Sequence, residues 1–206
     1  MQAITDLIMY FHKGGLVMWP LLASSIAVIA IAIERFIYYK GADSGAAFAA
    51  SYCATVRGRD IAAATELARK GDGACAQLLA DAVENSSSKE ELSAFLESRA
   101  GIFMATLRDK LDYLGIIVTL SPLLGLLGTI VGMIGAFSIF NVEAGAPIAI
   151  TGGIGEALIA TATGLCVAIM SLCAHAYFAH RMDNMITDME QCFSALLEAE
   201  TRRARS

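Results

Sequence analysis

One carboxylate stands in a long apolar stretch of the chain. Residues 148–177 read IAITGGIGEALIATATGLCVAIMSLCAHAY, and Glu156 is the only acidic or basic residue before His175. A charged group in a hydrocarbon environment is costly, so it usually faces a partner or a water-filled path. Thr161 and Thr163 follow within two turns of the same predicted helix. An acid, two hydroxyls and many small residues in one membrane-length helix indicate passage of a proton or small ion.

These polar groups also have purely structural interpretations. Glu156 could be bonded to a neighbouring hydroxyl or backbone group, and each threonine could donate to the carbonyl four residues earlier. Thr129 on a neighbouring apolar run favours the functional interpretation, because hydroxyls on two helices could face one lumen and order a chain of water. Hydroxyls cannot store a proton near neutral pH. The sequence therefore predicts that a second polypeptide supplies the proton carrier.

Three apolar runs could hold these residues in a membrane. Uncharged stretches cover 14–33 and 113–142, and the third run begins at Ile148. Each reaches the roughly 20 residues that a helix needs to cross a bilayer. The chain is 56% hydrophobic and only 17% charged, against about 25% charged in a typical soluble domain. A membrane protein is the class that this composition favours.

Glycines punctuate the centre of the second run at intervals of three, four and three residues. They are Gly125, Gly128, Gly132 and Gly135. This spacing puts them along one face of a helix. Helices in lipid pack closely through small residues, since lipid provides little hydrophobic drive between them. The second run is therefore predicted to pack against another membrane helix, with Thr129 beside the contact.

Residues 40–112 differ in kind from the apolar runs. Charges of both signs return, alanine is abundant, and glycines separate short predicted helices over 43–57, 60–70 and 74–85. Ser88 followed by Glu91 is a capping-box pattern that opens another helix. No breaker separates that helix from the second apolar run, so one continuous helix is predicted from here into the membrane. The third run likewise continues to a basic C-terminal end.

The distribution of basic residues predicts the orientation. The turn 143–147 has no Lys or Arg, whereas 40–112 and the C-terminus carry nearly all of them. Basic residues favour the cytoplasmic side, so the fold class is an all-α membrane protein with three transmembrane helices, N-terminus out and C-terminus in. The second and third helices extend into a helical cytoplasmic domain. The predicted segments are an amphipathic N-terminal helix at the outer surface (1–13), transmembrane helix 1 (14–39), the cytoplasmic helical domain (40–112), transmembrane helix 2 (113–142), the outer turn (143–147), transmembrane helix 3 (148–178) and a cytoplasmic C-terminal helix (179–206).

Other functional classes find little support in the sequence. A net charge of −5 without a Lys/Arg patch argues against nucleic-acid binding. Five cysteines without CxxC spacing argue against a disulfide framework or a zinc site. Ser121 and Ser171 have no evident base, so an intramembrane protease is not favoured. We expect no enzyme activity, metal or cofactor.

Two motifs resemble the MotA/TolQ/ExbB proton-channel family. They are PLLGLLGTIVGMI at 122–134 and GIGEALIATATGL at 153–165, and the opening of the first run, with Gly14-Gly15 and Glu34-Arg35, resembles ExbB and TolQ. Three spans favour ExbB, and TolQ next, over the four-span MotA type. The resemblance covers all three runs, whereas 40–112 is matched only in size and helical character. Met170-Ser171 stands where many relatives have a proline, which leaves the course of the third helix open.

The resemblance implies a multi-pass protein of the bacterial inner membrane. It implies a homo-oligomer, expected to be a pentamer, whose second and third helices line a central pore with Thr129, Glu156 and Thr161. Thr163, the second hydroxyl of the third helix, is predicted to line the same proton path. Single-span partners of the ExbD/TolR type would sit in the pore, and their membrane aspartate would carry the proton. The complex, embedded in membrane lipid, would use proton-motive force to drive a TonB-like or TolA-like protein.

Four functions remain open at this point. The ExbB-like function is to energise TonB-dependent transport across the outer membrane. A TolQ-like subunit of the Tol-Pal envelope system is the nearest alternative. A membrane scaffold that conducts nothing, and an ion channel that works without any partner, are the others.

Overall fold

The computed structural model describes residues 14–86, 88–142 and 147–203. Within these ranges the chain forms seven α-helices and no strand. The helices are α1 (Met18–Ala42), α2 (Ala46–Arg57), α3 (Ile61–Lys70), α4 (Ala74–Asn85), α5 (Lys89–Arg108), α6 (Leu111–Val142) and α7 (Pro147–Arg203). The predicted amphipathic helix 1–13 lies outside the described residues, as do 143–146 of the predicted turn.

Three helical runs in the described part of the chain are long and apolar enough to cross a membrane. They cover Met18–Arg57, Lys89–Ser138 and Thr151–Arg203. Helix α1 contains the first predicted apolar stretch from Met18 onward, and α6 and α7 contain the other two. The all-α, three-span prediction agrees with these helices, while the orientation stays a prediction.

The helices divide into two compact units. The membrane unit comprises the described residues of Met1–Ile33 and Asp112–Ala176, and the polar unit comprises those of Glu34–Leu111 and Tyr177–Ser206. In the membrane unit the start of α1 buries Val17, Met18 and Leu21 against Leu124 and Ile159. The start of the first apolar helix is thereby fixed to both of the other two.

The polar unit has a side-chain core of the kind found in soluble proteins. Helices α2 to α5 surround the C-terminal part of α7, and the fully buried side chains include Tyr52, Leu79, Leu96, Met189 and Leu196. Three thiols, those of Cys53, Cys75 and Cys192, are free and buried in the same core. Burial raises the pKa of the Cys53 thiol to about 11, so this thiol packs as a small neutral group.

Short-range signals account for where the helices of the polar unit begin. The side chain of Asp60 accepts a hydrogen bond from the Ala63 amide at 2.9 Å, and that of Ser88 from the Glu91 amide at 3.2 Å. Each bond satisfies a helix N-terminal amide that has no carbonyl partner within its helix. The cap at Ser88 is the one that the sequence pattern predicts.

A two-residue break interrupts the helical run that is predicted from Ser88 into the second apolar run. Helix α5 ends at Arg108 and α6 begins at Leu111. The Arg35 guanidinium donates to the Thr106 carbonyl at 3.0 Å, and the Tyr39 hydroxyl donates to the Leu107 carbonyl at 2.8 Å. In an uninterrupted helix those carbonyls would accept backbone amides four residues later, so side chains of α1 replace the bonds that would have continued α5.

Arg35 is held in this position by the neighbouring Glu34. The Arg35 side chain is 4% exposed, and its Nε lies 2.8 Å from Glu34 Oε2. Lys110 Nζ lies 3.2 Å from the other carboxylate oxygen of Glu34. Glu34 thus forms ion pairs with both cations beside the end of α5 and offsets part of their charge. The third run shows no comparable interruption, since α7 continues through Met170 and Ser171.

Candidate functional site

Helices α6 and α7 approach each other backbone to backbone. A Cβ built on Gly125 would lie 3.1 Å from Thr161 Cα, and one on Gly132 would lie 3.0 Å from the Gly153 carbonyl oxygen. On the facing helix, a Cβ on Gly164 would lie 2.5 Å from the Ser121 carbonyl oxygen. The glycines of both helices therefore leave room for the other backbone, and the two helices run antiparallel through this contact.

The other two predicted packing glycines differ from each other. A Cβ on Gly128 would clash with Ala160 Cβ, whereas a Cβ on Gly135 would meet nothing within 4 Å. Gly128 thus lies at a close approach of the two helices, and Gly135 faces open space. The contribution of each glycine to assembly stays a prediction that substitutions can test.

The Thr161 hydroxyl lies in the contact between α6 and α7. It is 3.1 Å from the Gly125 carbonyl oxygen on α6 and 3.2 Å from the Ala157 carbonyl oxygen on its own helix. One hydroxyl proton is shared between two acceptors, while the oxygen lone pairs remain able to accept from water. The Thr161 hydroxyl therefore links α6 to α7 by a hydrogen bond. It also places a polar group in the otherwise apolar contact between these two helices.

The hydroxyls of Thr129 and Thr163 bond within their own helices. Thr129 donates to the Leu126 carbonyl at 2.6 Å, and Thr163 donates to the Ile159 carbonyl at 2.8 Å. Thr161 and Thr163 are two positions apart, which is about 200° around a helix. They therefore face nearly opposite sides of α7. The pore-lining role of all three threonines stays a prediction.

Glu156 contacts the segment that precedes α1. A Cβ on Gly15 would collide with the Glu156 Oε1 atom, and Gly15 has a φ of 72°. A side chain at this position would therefore be excluded both by the carboxylate and by the left-handed backbone. Among the described residues, no hydrogen bond or ion pair reaches the Glu156 carboxylate. Its acceptor atoms are thus not consumed by any group of that part of the chain.

The sequence does not predict the contacts that three residues of this region make. Gly15 is one of a glycine pair, and no local sequence signal indicates its contact with Glu156. Ser171 is buried and donates to the Leu114 carbonyl on α6 at 2.9 Å. Ser121 is also buried, and its hydroxyl has no partner among the described residues. A serine in an apolar run does not reveal which helix it will face.

The described residues include no group of three or more His, Cys, Asp or Glu side chains that could hold a metal ion. Between Tyr113 and Ser138 on α6 and between Thr151 and Cys173 on α7, the side-chain oxygens belong to hydroxyls and to the single carboxylate of Glu156. Groups of this kind can order water and exchange hydrogen bonds with it. They suit the movement of a proton along a wet helix face.

The sequence model of the MotA/TolQ/ExbB proton channel family matches residues 69–191. A biopolymer transport protein of Synechocystis sp. named ExbB-like 1 is 34% identical over 168 residues, covering 79% of this chain and 66% of that protein. A second from the same organism, ExbB-like 3, is 32% identical over 77% of this chain and 78% of its own length. An ExbB homolog of Methanothermobacter thermautotrophicus is 33% identical over 50% of this chain and 36% of that protein.

The alignments thus leave part of each relative uncovered, about a third in ExbB-like 1. The family match nevertheless contains α4, α5 and α6, most of α7, and both motifs that carry the resemblance. It covers more than half of the chain. The chain therefore belongs to the MotA/TolQ/ExbB proton channel family, and its relatives are ExbB-like.

Proposed function

We propose that the chain is a non-enzymatic, proton-conducting motor subunit of a bacterial inner membrane. It works with a single-span, ExbD-like partner and uses proton-motive force to drive a TonB-like protein, which energises transport across the outer membrane. Membership of a proton channel family and the names of the ExbB-like relatives support the proton chemistry and the link to biopolymer transport. Our proposal adds three things to that support: the ExbD-like partner, the TonB-like protein that is energised, and the N-out, C-in orientation.

The position of Glu156 is the observation that carries this proposal. The carboxylate lies in the apolar part of α7, nine residues after Pro147, or about 13 Å along the helix. It rests against Gly15 without an ion pair among the described residues. A carboxylate kept in such a place is costly unless it meets water or a partner. We assign it to the wall of a proton path.

The moving proton is assigned to the partner rather than to Glu156. Glu156 is the only carboxylate within the stretches 14–33, 113–142 and 148–177, so these stretches offer no second acid for a relay. The hydroxyl of Thr161 can guide water but cannot store a proton near neutral pH. A partner acid in the pore supplies the missing carrier. One charge that falls through 100 mV releases about 2.3 kcal/mol, enough to shift a conformational equilibrium by well over tenfold.

The surface of the membrane unit supports a homo-oligomer, which we propose to be a pentamer. Large apolar side chains project outward along α6, including Leu123, Ile130 and Ile134. Such a face can lie against lipid, against a further copy, or against the apolar helix of a single-span partner. An assembly of copies would enclose the lumen that a single chain does not form.

Proton flux in liposomes tests the proposal directly. The full chain is purified with any single-span protein that it retains and is reconstituted with an internal pH-sensitive dye. A potassium diffusion potential then drives uptake. We expect flux only with the partner, and at least a tenfold loss in Glu156→Gln or Thr161→Val while the oligomer still assembles. Glu190→Gln, at an exposed position of the polar unit, is the matched control.

The alternatives give different results in the same assay. Undiminished flux in both variants would exclude the pore role of Glu156 and Thr161. Flux without a partner would indicate an independent channel, and assembly with a partner but no flux would indicate a scaffold. A TolR-like rather than ExbD-like co-purifying protein would place the chain in the TolQ-like branch.

A further inference from the structure

A groove in the polar unit is lined by aromatic and basic side chains from α1 and α7. Its volume is about 270 Å³. The lining residues are Phe36, Tyr39, Lys40, Tyr177, Phe178 and Arg181. None of them belongs to the predicted pore, and the proposed channel function makes no use of them.

The groove lies where the apolar stretches of both helices end. Lys40 directly follows the predicted span 14–39, and Arg181 follows the predicted span 148–178 by three residues. Aromatic rings with polar edges and basic side chains collect at the level of lipid headgroups. A groove made from these residues at this point along two membrane helices is expected to open toward headgroups.

The two cations of the groove are available for an anion. Lys40 is exposed and makes no ion pair with any described residue. Arg181 Nη2 lies 2.8 Å from Asp43 Oδ2, yet the arginine side chain remains 43% exposed. Asp43 is itself held by the Gly45 amide, which donates to its other oxygen at 2.8 Å. Since a guanidinium has five N–H donors, Asp43 orients Arg181 without exhausting it.

The aromatic side of the groove is preformed. The Tyr39 and Phe178 rings meet edge to face with centroids 5.6 Å apart, and Tyr177 packs on Phe178 at 5.2 Å. The Tyr39 hydroxyl is fixed by its bond to the Leu107 carbonyl. Phe36 and Tyr177 nevertheless expose 54% and 52% of their surface. The groove therefore offers rigid apolar surface directly beside two positive charges.

We propose that this groove binds the headgroup of an anionic phospholipid. The lipid phosphate lies between Lys40 and Arg181, and the first carbons of the acyl chains lie on Phe36 and Tyr177. A free inorganic anion would gain nothing from the exposed rings, whereas a lipid uses both parts of the groove. The volume is slightly below the roughly 300–1,000 Å³ of sites that enclose a drug-sized molecule, which suits a headgroup whose tails stay in the bilayer.

Native mass spectrometry of the full chain, purified in detergent with any partner it retains, tests the proposal. The protein is titrated with palmitoyl-oleoyl phosphatidylglycerol, which is anionic, and with the zwitterionic phosphatidylcholine of the same chains. A basic side chain near an anionic lipid contributes about fivefold in affinity. We therefore expect clear preference for the anionic lipid, and about a twentyfold loss of its affinity in Lys40→Gln/Arg181→Gln.

The control variant, Lys70→Gln/Arg99→Gln, removes the same charges from exposed positions of the polar unit outside the groove, and it should keep wild-type affinity. If the double variant in the groove does not assemble, Lys40→Gln alone decides the matter with an expected fivefold loss. Equal binding of both lipids, unchanged affinity in the variants, or displacement of the lipid by equimolar inorganic phosphate would overturn the proposal. A changed oligomeric state with unchanged lipid binding would also overturn it and would assign the groove to a contact between copies.

The result is independent of the channel assay. Lipid binding that survives in Glu156→Gln, whose flux is lost, would separate the two sites. Conversely, the Lys40→Gln/Arg181→Gln variant tests lipid binding whether or not the chain conducts protons. Each proposal can therefore fail without the other.

Discussion

The membrane unit and the polar unit bury different kinds of atoms. In the membrane unit, the backbones of α6 and α7 approach each other at Gly125 and Gly132, while the Leu123 side chain is 61% exposed. In the polar unit, Leu79 is fully buried and Leu196 is 1% exposed. Leu123 of the membrane unit thus points outward, whereas Leu79 and Leu196 of the polar unit point inward.

The difference follows from the solvent of each unit. Water drives apolar side chains into a common core, which the polar unit builds from α2 to α5 and the end of α7. Lipid gives almost no such drive, so membrane helices gain instead from close backbone approach and from hydrogen bonds between helices. An apolar side chain therefore indicates a core position in the polar unit, whereas in the membrane unit it is compatible with a lipid-facing position.

The largest expected effect comes from truncating a leucine in the polar core. Leu79→Ala should destabilise the protein by about 2–5 kcal/mol, because it leaves a cavity among fully buried neighbours. Leu123→Ala, the matched change in the membrane unit, should cost less than about 0.5 kcal/mol. Equilibrium unfolding of the purified protein in detergent measures both. An equally damaging Leu123→Ala would show that a neighbouring molecule covers this face of α6.

An intermediate effect is expected from filling the contact between α6 and α7. A Leu at position 128 must displace Ala160, so Gly128→Leu should cost about 1–3 kcal/mol by overpacking. Gly135→Leu places the same side chain in open space and should leave the chain's own stability unchanged. Thermal unfolding of the two variants, together with their oligomer size, tests the difference. Equal stability of both would mean that the glycine contact does not hold the helices together.

The smallest expected effect concerns the cross-helix hydroxyl. Thr161→Val removes the bond to the Gly125 carbonyl and should cost about 0.6 kcal/mol, the average for such bonds in a membrane protein. Thr163→Val removes only a bond within α7 and should cost still less. Equilibrium unfolding of each variant and of the wild type in detergent measures the two free-energy losses. A loss of several kcal/mol in Thr161→Val would mean that its loss of flux reflects unfolding rather than a role in the pore.

Sequence signals within a few residues were sufficient to predict the helices. They were not sufficient to predict where α5 ends or which side chains contact each other. The apolar runs and the cap at Ser88 depend on residues within a few positions of each other, and the structure places helices there. The end of α5 depends on Arg35 and Tyr39, which lie far along the chain and carry no mark of that role. The contact of Glu156 with Gly15 is likewise non-local.

The glycine spacing on α6 predicted part of the contact with α7 for a physical reason. Glycine spacing on α6 reports a helix face because the period of a helix is fixed, so Gly125, Gly128 and Gly132 could be grouped without a structure. Such a pattern does not report how far the contact extends, and Gly135 lies beyond the close approach. Thr161 and Thr163 were grouped by proximity along the chain, although the helical turn sends them to different sides.

The composition of the polar core dictates an order of events during synthesis. Met189, Cys192, Phe193 and Leu196 close a core whose other members come from α2 to α5. Those four residues leave the ribosome after all three apolar runs. The apolar faces of α2 to α5 therefore stay exposed until the C-terminal part of α7 has been synthesised. A ribosome that stops early would release a chain that can enter the membrane but cannot complete its polar half, and such a chain is a natural substrate for quality control.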